Sequence, residues 1–201
     1  LLIFGFGYTS KFICQNFSKK NWQVFCTTRS NEKIKEIKSF NAKPIFFDDG
    51  EKIKSILNKD IYIISTAPPD HGKDPVMTSY EELFKKNSER IKWAGYLSTT
   101  SVYGDKKGEW VTENTLLEPS LERSISRVTA EKSWLRFGEN LSIKTIIFRL
   151  AGIYGPGRSI IDRMMANERI HIVDKPAHLF NRIHIEDIVG AIDMAINSQS
   201  K

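Results

Sequence analysis

The chain has 201 residues, enough for one α/β domain with a full core. Its formal net charge of +6 comes from scattered Lys and Arg, much of it in Lys-rich stretches at 32–38 and 52–59. There is no basic stripe interleaved with aromatics and no run of about eighteen apolar residues, so neither nucleic acid nor a membrane is an expected partner, and a cytoplasmic location is expected.

Leu1-Leu2-Ile3-Phe4 reads as a buried parallel strand. The sequence begins inside it and without Met, so a few residues are expected to precede it. Gly5 and Gly7 then supply a tight turn that lets backbone approach a pyrophosphate. A helix begins near Thr9, so Tyr8, Thr9 and Ser10 lie where first-turn N–H groups can hold phosphate. Ser10 stands where a third glycine is usual, and an ordinary strand turn is the competing reading. Cys14 and Cys26 have no ligand partners at metal spacing and read as reduced core residues; no metal is expected.

Residues 22–28 form the second expected strand, followed at once by Arg29. An acidic residue there would meet a ribose 2′-hydroxyl, whereas an arginine fork suits a 2′-phosphate. Thr28 and Ser30 add hydroxyl donors, and the cofactor predicted on this ground is NADP, with NAD as the alternative. A solvated arginine at a strand end is the plain alternative. Residues 42–47 read as a third strand closed by Asp48-Asp49, where Asp48 either meets an adenine edge or caps a helix at 51–58. Residues 61–64 read as a fourth strand running into Thr66, Ala67 and two prolines, small enough for a dinucleotide to cross.

Residues 70–75 read as a polar loop, 79–92 as an amphipathic helix and 93–97 as the fifth strand. Thr99 and Thr100 lie in the hydroxyl-rich run after that strand, where open α/β sheets bind ligands. A polar loop at 105–118 is placed to fold over such a site. A helix at 120–138 and a sixth strand at 142–148 complete an alternating pattern. The fold class is therefore α/β, a Rossmann-type doubly wound parallel sheet of at least six strands with helices on both faces. Beyond it come a helix at 160–167, an extended piece at 169–173 and a helix at 185–197 with Ile188, Val189, Ile192 and Ile196 on one face. His184, between two isoleucines, reads as a hydrogen-bonded structural histidine.

The Gly5/Gly7 turn, Ser98 to Gly104, Ala130-Glu131, Arg149 through Gly157 and Asn181 to Ile188 occur in order along nearly the whole chain. Together they resemble the extended short-chain dehydrogenase/reductases of the NAD-dependent epimerase/dehydratase group. The resemblance implies a nucleotide-binding domain over 1–158 and, over 159–201, part of a substrate lobe plus a returning helix. Members usually continue for many tens of residues past this point. It also implies a hydroxyl on strand five, here Thr99, and a Tyr-x-x-x-Lys pair whose positions carry Arg123 and Arg127. Arginine stays protonated and is a poor general acid, but it can hold an anion or stabilise an alkoxide. Arg127 would also face the nicotinamide ribose.

On the same resemblance Thr100, Tyr103, Arg123, Tyr154 and Arg158 line the substrate side. The expected activity is an oxidoreductase or epimerase-like reaction on a small polar substrate, anionic if the arginines meet it, with a homodimer left open. A non-catalytic NADP(H)-sensing or scaffold protein is the alternative. For Arg123 and Arg127 the plain reading is surface helix charge, with Arg127 paired to Glu131.

Overall fold

The computed structural model describes residues 1–168 and 179–198. Its element order is β1 (Leu2–Phe4), α1 (Tyr8–Lys19), β2 (Phe25–Thr28), α2 (Lys33–Ser39), β3 (Lys43–Phe46), α3 (Gly50–Ile56), β4 (Ile61–Ser65) and α4 (Pro75–Lys86). There follow β5 (Ile91–Thr99), α5 (Glu122–Leu141), β6 (Thr145–Leu150), β7 (Gly152–Tyr154), α6 (Ile160–Met165), β8 (Arg182–His184) and α7 (Ile185–Asn197). The main sheet is parallel and runs β3-β2-β1-β4-β5-β6. This is the doubly wound Rossmann-type architecture. The chain moves outward from β1 to β3, then crosses to β4, so β1 and β4 flank the switch point where such sheets open a crevice.

Alternation along the strands builds two cores. Leu1 and Ile3 face a layer made by α1, α2 and α7, with Ile13, Phe17, Ile37 and Ile188 buried in it. Leu2 and Phe4 face the opposite layer of α3, α4 and α5, with Ile53, Phe84, Trp134 and Phe137. β5 divides in the same way: Trp93 and Leu97 enter the first core, Ala94 and Tyr96 the second. That parity sets Ser98 on the α5 side. α7 buries Ile185, Ile188, Val189, Ile192 and Ile196. Each fully buried aliphatic side chain contributes roughly 1.5–3 kcal/mol, so this face is what draws the helix onto the domain.

Several boundaries differ from the sequence reading. α4 begins at Pro75, because the Asp74 carboxylate accepts from the Val76 and Met77 N–H groups at 2.9 Å each and Pro75 suits the first turn. It stops at Lys86, and β5 starts at Ile91 after a short 3-10 turn. β2 starts at Phe25; Trp22 instead packs edge-on against Phe17 and Tyr62. α5 runs on to Leu141, where Ser142 at φ +54 ends it, so β6 starts at Thr145. The short β7 and β8 pair in parallel, Gly152 with Arg182 through Tyr154 with His184, where the sequence reading has no ladder. The piece expected at 169–173 lies outside the described residues. Cys14 and Cys26 are buried and free.

Candidate functional site

At the switch point Gly5 adopts φ +94, a conformation that L side chains rarely adopt. Its N–H donates to Thr27 Oγ1 at 2.9 Å, and Thr66 Oγ1 sits 2.9 Å from where a Cβ would be. Ser10, fully buried, donates to the Gly5 carbonyl at 3.0 Å and lies 2.9 Å from Thr66 Oγ1. Thr66 Oγ1 in turn donates to Phe4 O at 3.0 Å. The serine in the third glycine position is thus part of a hydroxyl staple joining the ends of β1, β2 and β4. Ala67 abuts the same turn, its N 3.4 Å from the Gly5 Cβ position.

Gly7 is different. Among the described residues nothing lies within 4 Å of the Cβ it lacks, and it precedes a helix with no side-chain cap and no acidic residue in its first turn. Among the described residues, the first N–H groups of α1, around Tyr8 and Thr9, therefore face an open approach with no acidic side chain in their own turn to compete for them.

Across the crevice Tyr8 donates its hydroxyl to Pro156 O at 3.0 Å, and the Arg158 guanidinium lies 5.2 Å above its ring. Tyr154 is exposed and meets His184 edge-on at 5.1 Å. His184 caps α7, its Nδ1 accepting from Glu186 N at 3.4 Å.

The far end, beside β2 and β3, is built otherwise than expected. Thr28 Oγ1 accepts from Ser30 N at 3.0 Å and donates to Ser30 O, while Ser30 Oγ accepts from Glu32 N. Both hydroxyls are engaged in their own turn. Arg29 lies over the Phe47 ring at 4.6 Å. Asp48 is exposed, and the α3 cap is Asp49, whose carboxylate accepts from Lys52 N.

The end of β5 carries the second cluster. Thr99 Oγ1, half-buried, accepts from Ser101 N and opens a 3-10 turn over Thr100–Tyr103. Ser124, buried in the first turn of α5, donates to Ser101 Oγ at 2.9 Å and fixes the helix start against the strand end. Arg123 is exposed and has no hydrogen bond or ion pair among the described residues. Arg127 does not pair with Glu131. Its Nη1 donates to Leu97 O at 2.8 Å and to the Tyr96 hydroxyl at 3.1 Å. Burial pushes the Tyr96 phenol well above its ordinary pKa, so it stays protonated beside that cation.

Glu131 belongs to another network. It is 1% exposed, accepts from Ser98 Oγ, and takes the Arg149 fork through Nε at 3.1 Å and Nη2 at 2.9 Å. Arg149 Nη1 goes on to the Tyr103 hydroxyl at 3.0 Å and the Glu113 carbonyl at 3.1 Å. Tyr103 is buried, its ring 5.0 Å from the guanidinium. The 105–118 loop is thus a strap tied down at Glu113 by Arg149 and across its base by Lys106 and Glu118.

Sequence reasoning used Glu131 as a landmark and as a partner for Arg127, used Arg149 only as a landmark, and did not single out Tyr96 or Ser98. The available signals were strand parity, which puts Tyr96 and Ser98 on the α5 side, and the spacing 127, 131, 134, which sets two charges on the face of a buried tryptophan. Among the described residues no group of three His, Cys, Asp or Glu could hold a metal ion, and no helix is long and apolar enough to cross a membrane.

The model of the NAD dependent epimerase/dehydratase family matches residues 80–201. Protein YeeZ of Escherichia coli K12 is 26% identical over 208 residues, spanning 98% of this chain and 72% of YeeZ. A functionally unknown conserved protein from Silicibacter pomeroyi DSS superposes with a TM-score of 0.83 at 31% identity, over 97% of this chain and 67% of that one. The dTDP-glucose 4,6-dehydratase from Bacillus anthracis superposes with a TM-score of 0.79 at 20% identity, over 99% of this chain and 72% of that one. Its dinucleotide is NAD, as is that of the solved UDP-glucuronic acid 4-epimerase from Bacillus cereus. These complexes overturn the expectation of NADP drawn from Arg29. The local geometry offers a reason: the arginine is stacked on Phe47 and the flanking hydroxyls are engaged, so the described residues form no ready-made phosphate pocket around it.

Proposed function

The chain belongs to the NAD dependent epimerase/dehydratase family, and on that premise we propose that it binds NAD at the β1–β4 switch point and acts on a small polar substrate at the end of β5. Relatives of solved structure include an enzyme bound to UDP-glucuronic acid, which makes nucleotide-linked sugars the first class to try. In this reading residues 1–158 carry the cofactor, and 159–201 contribute to the substrate side and return α7 to the domain.

The observation that carries the proposal is Gly7. Its open Cβ position, the uncapped start of α1 and the glycine-only turn at Gly5 suit a pyrophosphate lying across backbone. Tyr8, Thr9, Ser10, Thr66 and Ala67 shape that crevice, and Arg158 stands at its rim. Arg29, Thr28, Ser30 and Asp48 lie toward the adenosine end. Bound NAD would supply the hydride acceptor or donor.

The chain's own residues then orient and polarise. Thr99 presents a half-buried hydroxyl at the strand end for a hydrogen bond to the reacting oxygen. Arg123 and Arg127 bring fixed positive charge to the same helix face and stabilise negative charge developing there; neither serves as a proton donor. Thr100, Tyr154 and Arg158 complete the substrate side, while Tyr103, whose hydroxyl accepts from Arg149, supports the strap above it. A second reading, a protein that senses NAD(H) without turnover, is favoured by one observation: arginines stand at both positions where the resemblance implies tyrosine and lysine.

Gly7→Val tests the cofactor site. Gly7 has an ordinary φ of −117, so valine should cost only about 1 kcal/mol as a poor cap, or about 2–4 °C in Tm. NAD binding by calorimetry should nevertheless fall below detection, because the side chain fills the approach. Unchanged NAD affinity in the folded variant would mean the pyrophosphate does not cross Gly7. A panel of nucleotide sugars, aldehydes and keto acids, followed by absorbance of the reduced nicotinamide ring, separates enzyme from sensor. Turnover lost in Thr99→Val with NAD affinity retained supports the enzyme; tight NAD binding with no turnover on any substrate supports the sensor.

A further inference from the structure

Arg127 is half-buried at the end of β5, and its guanidinium is divided in use. One nitrogen, Nη1, donates to two protein acceptors, Tyr96 Oη and Leu97 O. Nε and Nη2 donate to no described residue, and no carboxylate stands within ion-pair distance of Arg127 among the described residues. The nearby acids are engaged elsewhere. Glu131 is held by Ser98 and the Arg149 fork, and Asp74 by the start of α4 and by Trp134 Nε1 at 3.2 Å. The result is a cation with its orientation fixed from one side and its opposite edge unused.

That fixing is itself supported from below. Tyr96 is stacked on Trp134, with ring centroids 6.1 Å apart and an interplanar angle of 18°, and its ring centroid lies 5.7 Å from the Arg127 guanidinium. Trp134 is fully buried and is hydrogen-bonded to the Asp74 carboxylate that caps α4. A guanidinium oriented this firmly presents Nε and Nη2 as a rigid fork, and such a fork matches two oxygens of one carboxylate or phosphate. Arg123, one helical turn earlier and exposed, adds positive charge on the same side, and an anion bound between them would relieve their repulsion.

We propose that the Nε–Nη2 edge of Arg127 receives an oxyanion of the substrate, a carboxylate or a phosphate, and that Tyr96 is the residue positioning it. The proposal rests on the reading that NAD lies at the switch point and the substrate at the end of β5.

The test is calorimetric titration of malonate and of inorganic phosphate into the NAD-saturated protein, with neutral malonamide as control. At least one anion should bind and malonamide should not; preference for malonate assigns a carboxylate, preference for phosphate a phosphoryl group. Arg127→Met should weaken anion binding by about tenfold or more, the usual loss for a hydrogen bond to a charged group. Arg127→Lys keeps the charge without the fork and should still weaken it by about threefold or more. Tyr96→Phe keeps the ring on Trp134 and should weaken it by about threefold to tenfold, with NAD affinity changed by less than about twofold. Adding Tyr96→Phe to Arg127→Met should weaken anion binding no further, a non-additivity that a merely structural tyrosine would not show. Binding of neither anion, full anion affinity in Arg127→Met, or displacement of the anion by NAD each overturns the proposal. Failure of the wild-type protein to bind NAD overturns instead the reading beneath it.

Discussion

Glu131→Ala is expected to destabilise the protein by about 3–5 kcal/mol, the range for breaking a buried ion pair from one side. The Glu131 side chain is 2% exposed and the Arg149 side chain 18% exposed, so the guanidinium left behind has little water to replace its partner. Ser98 loses its acceptor in the same step. For a chain of this size the loss corresponds to a Tm drop on the order of 10 °C. Arg149→Met should be comparably harmful, because it strands a carboxylate that has almost no solvent. The double variant Glu131→Leu with Arg149→Met should recover much of the loss, since a packed apolar pair of similar volume removes both desolvation penalties. Urea unfolding of the four proteins checks this. A Glu131→Ala loss below about 1 kcal/mol would mean the pair behaves like an exposed one.

Gly104→Ala should be nearly as severe, for a steric reason. Gly104 has φ +76 and ψ −160, a combination essentially confined to glycine, and strain there costs about 1–3 kcal/mol. In addition, an added Cβ would lie 2.1 Å from the Glu118 carbonyl oxygen. The second effect matters more. Backbone at that distance must move, and what can move is the strap, which returns past Gly104 at Glu118. The expected result is a total loss of about 3 kcal/mol or more, with trypsin cutting after Lys106 and Lys107 far faster than in the parent. Wild-type cleavage rates in a destabilised variant would show that the strap had absorbed the alanine without lifting.

The parts legible in the sequence were those with local causes. The strand–glycine–helix opening and the amphipathic α7 follow from apolar spacing over a dozen residues or fewer. The early start of α4 was equally local, since Asp74-Pro75 is a cap followed by a first-turn proline, but polar neighbours made it read as loop. The site was legible only as a set of positions. That Arg149 and not Arg127 meets Glu131 depends on β6 lying beside β5, a long-range pairing that no helix spacing reveals. Helical i,i+4 spacing made Arg127–Glu131 the natural pair, yet β5 offers the arginine a backbone carbonyl and a phenol on a closer route. The 2′-phosphate reading of Arg29 failed for a related reason: a residue type at a strand end says nothing about Phe47 waiting beneath it.

The short ladder between β7 and β8 pins two distant points of the chain side by side, Tyr154 against His184. The described residues that flank it, 155–168 and 179–181, therefore leave and rejoin the domain at points already held together. Once a loop is closed, lengthening it is cheap: each doubling adds only about 0.6 kcal/mol of closure entropy. The sheet, α1 and α7 need not register a change in that stretch as long as the ladder and the Tyr8–Pro156 contact persist. Residues there other than Pro156 and Arg158, which touch Tyr8, can thus change at little cost to the rest of the domain.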